Sequence, residues 1–137
     1  VGTVLVFFGT MMTAAFTGEP EQTQTALELF GEHTELEVRV AIAVAVVIFA
    51  PLFEEILFRG FLYRNLRDLL GPVPAMAASG LLFGLVHLEP ELVLPLSGLG
   101  FALALLYERS GTLLAPIAVH AAWNLSQLVI LVILVEG

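Results

Sequence analysis

Seven side chains in this sequence could do chemistry together. They are Glu54, Glu55, Arg59, Phe83, His87, His120 and Asn124, and they fall in three groups. Glu54-Glu55 with Arg59 forms the first group. Two adjacent carboxylates on an apolar helix cannot both ionise cheaply. Glu55 and Arg59 stand four apart on one helical face, so they can pair. That pairing holds Glu55 ionised and leaves Glu54 for chemistry, where burial suits a glutamate to general-base work near neutral pH. An ion-paired cluster with a purely structural role explains the same residues equally well.

Phe83-Gly-Leu-Val-His87 is the second group. A lone histidine near a helix end is more often a hydrogen-bonded structural residue than a catalyst. Phe83, four residues earlier, can pack against its imidazole. His120-Ala-Ala-Trp-Asn124 is the third. His120 and Asn124 project side by side from one face, and both can donate hydrogen bonds. Two donors aimed at one point can stabilise the oxyanion formed when water attacks an amide. They can equally form a polar clamp between helices. Trp123 fits a packing role.

These polar groups lie in segments that should otherwise sit in lipid. The chain has 137 residues, of which 58% are hydrophobic and 13% charged. Average soluble domains are nearer half apolar and a quarter charged, and a chain this short cannot hide so much apolar surface. We therefore expect an all-α, polytopic transmembrane bundle of about five helices. An ionisable residue inside a span costs ~2.5–3.5 kcal/mol on insertion scales, so those present have a reason to be there. Cysteine is absent, which excludes disulfides and thiolate metal sites. Lysine is absent too, and the net charge is −8, which argues against nucleic acid as a partner.

The expected spans are residues 1–16, 38–70, 73–88, 92–107 and 112–135. The first is short of the ~20 residues that a crossing needs, and the chain opens on Val1 without a basic leader. We read 1–137 as a single transmembrane domain truncated at its N-terminus, with residues 51–128 as the motif region. Residues 17–38 are polar, and Leu27, Leu29 and Phe30 could form a short interfacial helix there; a solvated loop fits as well. Pro51 should kink its helix or remove a hydrogen bond. Gly80 and Gly84 form a small-xxx-small pattern that lets helices approach. Gly98 and Gly100 either leave room for a lipid or peptide, or serve close packing.

Arg64, Arg67 and Arg109 should share one side of the membrane, with Glu89, Glu91, Glu136 and the 17–38 loop on the other. Arginines favour the cytoplasmic face, although Arg39 runs against this bias. At ~1.5 Å per residue, Glu54 lies ~15 Å from the arginine side, His87 ~21 Å, and His120 and Asn124 ~14 and ~20 Å. All can meet inside the bilayer, nearer its cytoplasmic half.

The ordered trio Glu-Glu-x-x-x-Arg, Phe-x-x-x-His and His-x-x-x-Asn on successive apolar helices resembles the CAAX-protease and bacteriocin-processing (Abi) family, which includes the type II CAAX prenyl endopeptidases. Each motif alone is weak, and the ordered set is specific. None departs from the family pattern. The resemblance implies an integral membrane endopeptidase, in the cell membrane, acting on a peptide or a prenylated protein C-terminus. It carries Glu54 over as the glutamate that activates water, His87 as sharing that water, and His120 and Asn124 as the oxyanion site. Glu55 and Arg59 would organise the first motif. A metal is not favoured. If one is present, zinc on Glu54, His87 and His120 is the candidate, although the His-Glu-x-x-His signature is missing. A catalytically silent binding or bacteriocin-immunity protein on the same fold is the alternative. A transporter is less consistent, because the polar residues gather at one depth.

Overall fold

The computed structural model describes residues 35–136, with side chains to residue 133. The expected 1–16 span and the interfacial helix around Leu27–Phe30 lie outside the described residues. What is described is all helical: α1 (Leu36–Leu70), α2 (Pro72–Leu85), α3 (Val93–Ser110, entered through a 3-10 turn at Pro90–Leu92) and α4 (Leu114–Glu136). These are four of the five expected helices. Three are long and apolar enough to cross a membrane: Leu36–Leu70, Pro90–Ser110 and Leu114–Ile133. The span expected at 73–88 is shorter than foreseen. Its helix stops at Leu85, at 14 residues, or ~21 Å of rise. The chain then turns through Leu88, whose φ is 62°.

Prolines and glycines punctuate the helices as their chemistry requires. Pro72, Pro90 and Pro95 all fall in first turns, where a missing N–H costs nothing. Pro51 is the exception, set deep within α1. There the backbone widens to π-helical pairing over Ala45–Phe49, and a new α-helical stretch starts at Ala50. The backbone stays helical through Pro51, and the helix runs on. A second π-helical stretch, Ile56–Tyr63, follows the glutamate pair. Gly111 closes α3 in the left-handed region with φ 68°, which disfavours any side chain.

α2 and α3 pack backbone to backbone. A Cβ on Gly80 would come within 2.7 Å of the Phe101 nitrogen, and one on Gly100 within 2.9 Å of the Gly80 Cα. Gly98 faces open space. The two readings of that glycine pair therefore divide: Gly100 serves packing, and Gly98 does not. At the other end of these helices Arg67 pairs with Glu108 at 2.8 Å, so the arginine-bearing ends of α1 and α3 do lie together. The main core joins α1, α2, α3 and α4 through Val46, Phe58, Phe83, Leu92, Leu96, Leu128 and Leu131. Apolar side chains also cover the outside: Phe53, Leu57, Phe61 and Leu94 are all more than half exposed. In water that surface would be a liability. In lipid it is the solvent-facing side.

Candidate active site

The site is built on Glu55. Its side chain is fully buried, as is that of Arg59 one turn on. Arg59 Nη1 donates to Glu55 Oε1 at 2.8 Å, the pair that the four-residue spacing predicts. The second Arg59 amine, Nη2, donates to the Gly100 carbonyl at 2.7 Å, tying α1 to α3. The guanidinium also lies 4.9 Å from the centre of the Phe83 ring, a cation–π contact with α2. One arginine thereby fixes three helices around one point.

α4 enters through His120, itself buried. His120 Nδ1 lies 2.9 Å from Glu55 Oε1. A carboxylate only accepts, so Nδ1 carries the proton and donates. That leaves Nε2 facing Glu54, whose Oε2 is 3.7 Å away. The two neighbouring glutamates therefore hold different posts. Glu55 is sealed in the packing, and Glu54 keeps 17% of its side chain accessible. The Oε2 atoms of both glutamates are buried without a hydrogen-bond partner, so it is exposure and the contacts of Glu55 Oε1 that distinguish the two.

Phe83 is the floor shared by both imidazoles. Its ring centre is 5.0 Å from that of His87 and 5.6 Å from that of His120. Phe58 packs on it edge-on at 5.1 Å. His87 lies at the C-terminal end of α2, half-buried, with Nδ1 2.7 Å from the Phe83 carbonyl oxygen. Nδ1 donates this bond, because a carbonyl oxygen cannot. The Nε2 atom of His87 is then an acceptor in the neutral ring.

Asn124 is buried one turn beyond His120. Its Nδ2 donates to the Val46 carbonyl at 2.9 Å. One of its two amide hydrogens is thus spent on the wall of the site, inside the first π-helical stretch. The structure brings Glu54, Glu55, Arg59 and His120 into one contact network and sets His87 against the same phenyl ring as His120. It turns Asn124 toward α1. Among the described residues, no three His, Asp or Glu side chains gather closely enough to hold a metal ion. Glu54, His87 and His120, as placed, are not such a group.

Two contributors carried no signal in the sequence. The carbonyls of Val46 and Gly100 are backbone groups, and residue type says nothing of them. The glycine at 100 was visible, but its carbonyl role depends on α3 packing within reach of Arg59.

Comparison with known proteins adds to this geometry. Residues 36–126 match the family described as type II CAAX prenyl endopeptidase Rce1-like. The chain is 28% identical over 123 residues to the protein named "Putative membrane peptidase YdiL" of Bacillus subtilis (strain 168). That similarity covers 86% of this chain, which spans about half the length of its relative (50%). No solved structure matches.

Proposed function

The chain belongs to the Rce1-like, type II CAAX prenyl endopeptidase family, and from that membership and the geometry of its site we propose that it is an intramembrane endopeptidase. The observation that carries the reading is the division of labour between the glutamates. Glu55 is fully buried and committed through Oε1 to Arg59 and His120, while Glu54 keeps 17% of its side chain accessible and sets its Oε2 3.7 Å from His120 Nε2.

In this mechanism Glu54 accepts a proton from a water molecule held between it and His87 Nε2. The water oxygen attacks the carbonyl carbon of the scissile peptide bond, and the carbonyl π electrons move to its oxygen. The C–N bond then breaks as the proton passes from Glu54 to the leaving amine. The oxyanion is met by His120 and by the remaining N–H of Asn124. With Nδ1–H given to Glu55, His120 can donate through Nε2 only as the imidazolium. Glu55 and Arg59 act by position, since they hold that ring in place. The substrate class is a peptide or a prenylated protein C-terminus reached from the bilayer, and water activation needs no metal.

The test is cleavage of a prenylated CAAX-type peptide by the full chain in proteoliposomes. Glu54→Gln should lower turnover by roughly 10²–10⁴-fold, the usual worth of general-base catalysis. Turnover should survive 1,10-phenanthroline. Cleavage within tenfold of the unsubstituted chain in Glu54→Gln would remove Glu54 as the base. Loss with the chelator and recovery with zinc would overturn the metal-free step alone.

A further inference from the structure

Away from the motif residues, the ends of α1 and α3 enclose an open cavity of about 420 Å³, lined by Arg64, Arg67, Tyr107, Glu108 and Gly111. That volume falls within the ~300–1,000 Å³ typical of small-molecule sites. Its charges are not equivalent. Arg67 grips Glu108 with both Nε and Nη2, at 2.8–3.0 Å. Tyr63 donates its hydroxyl to the same carboxylate at 2.9 Å. Glu108 is thus fully engaged, and Arg67 is neutralised by it. Arg64 is exposed and makes no hydrogen bond or ion pair with any described residue. The cavity lining therefore carries one positive charge in excess, on the Arg64 guanidinium. Gly111 adds no side chain, and a Cβ there would meet nothing within 4 Å.

The helix that brings Arg64 to the cavity is apolar on its outside. Phe53, Leu57 and Phe61 recur at four-residue intervals along α1 and are 66%, 57% and 65% exposed. Arg64 follows within one turn of Phe61. A soluble anion would have no use for that stripe. An anion bearing a hydrocarbon chain would use both parts, with its charge at the membrane surface and its chain lying toward the bilayer interior. Guanidinium is the group best matched to phosphate oxygens.

We propose that the cavity between the ends of α1 and α3 binds the phosphate of an anionic glycerophospholipid, with Arg64 as its ligand and an acyl chain along Phe53, Leu57 and Phe61. The cavity shares no lining residue with the proposed active site, so this binding stands or falls separately from proteolysis.

Native mass spectrometry of the full chain in a neutral detergent tests it. The probes are phosphatidylglycerol, phosphatidylcholine of the same acyl composition, and inorganic phosphate as competitor. Phosphatidylglycerol should be retained as a single adduct in preference to phosphatidylcholine. Arg64→Gln should weaken its retention about tenfold, the worth of one charge-assisted hydrogen bond. Arg109→Gln, an exposed neighbour outside the cavity, should change it by less than about twofold. Equal losses in the two variants would mean general surface charge and would overturn the site. Equal retention of phosphatidylcholine would show that headgroup charge is not read and would also overturn it. Displacement of phosphatidylglycerol by an equimolar amount of inorganic phosphate would reassign the cavity to a free anion and end the lipid assignment.

Discussion

Glu54 and Glu55 are chemically identical neighbours, and their surroundings give them opposite duties. Glu55 compensates a fully buried arginine, and removing one partner of such a pair leaves the other charge buried and unpaired, at a cost of ~3–5 kcal/mol. Glu55→Gln should therefore melt far below the unsubstituted chain when thermal unfolding is followed in detergent by circular dichroism. Glu54→Gln removes a partly accessible acid with no hydrogen bond to its Oε2, so its melting temperature should stay close to that of the unsubstituted chain. Equal destabilisation by both substitutions would show that the glutamates form one structural cluster. Half of this arrangement is legible in the sequence, because Glu55 and Arg59 are four residues apart and a helix places them together. The His120 bond is not, because it spans 65 positions and depends on how α4 packs against α1. Nor does the sequence show that Asn124 spends a hydrogen on Val46, since the acceptor is a backbone carbonyl.

At the level of elements, helix identity was legible and helix contact only partly so. The break in the apolar runs at Gly71-Pro72 marks where α1 stops, and the one at Glu89-Pro90-Glu91 marks where the α3 entry turn begins. The shortness of α2 was hidden because Val86 and Leu88 extend the apolar run, while the backbone has already left the helix for a turn at Leu88. Likewise Pro51 suggested a kink or a lost hydrogen bond, and the backbone before it stays helical but pairs in the wider π register. Glycine shows the limit most sharply. Gly98 and Gly100 look alike in the sequence, yet Gly100 presses on Gly80 and Phe83 while Gly98 meets nothing. Gly100→Ala should overpack the α2–α3 contact and cost ~1–3 kcal/mol. It should also move the carbonyl that holds Arg59, so catalytic loss should accompany the stability loss. Gly98→Ala adds a methyl to open space in a helix interior and should be neutral or stabilise by ~0.5–1 kcal/mol. Thermal unfolding of the two variants side by side decides the matter, and similar shifts in both would contradict the packing described here.

On the scale of the whole molecule, the bundle constrains how the chain crosses the membrane. α1 has 35 residues, or ~52 Å of rise, against a hydrocarbon core of ~30 Å. It must tilt or project beyond the lipid at one end. The Arg67–Glu108 pair fixes the C-terminal ends of α1 and α3 together. α3 with its entry turn has 21 residues, ~30 Å, which is long enough for one crossing between Glu91 and Ser110. A crossing there puts Glu91 opposite Asp68 and Ser110. α2 alone is too short to make the return crossing, and its C-terminal turn through Val86–Glu89 has to supply the remaining depth. That places His87 where the helix gives way to the turn, against the Phe83 ring. The absence of native cysteine makes this arrangement directly measurable. Single variants Asp68→Cys, Ser110→Cys and Glu91→Cys in sealed, uniformly oriented vesicles should react with an impermeant maleimide from two sides. Asp68→Cys and Ser110→Cys should label together, and Glu91→Cys only after the vesicles are opened, or the reverse. If all three label from one side, α2 and α3 form a re-entrant hairpin that does not cross. His87 would then be delivered to the site from the same surface as the arginines, and water and substrate would have to enter from that surface too.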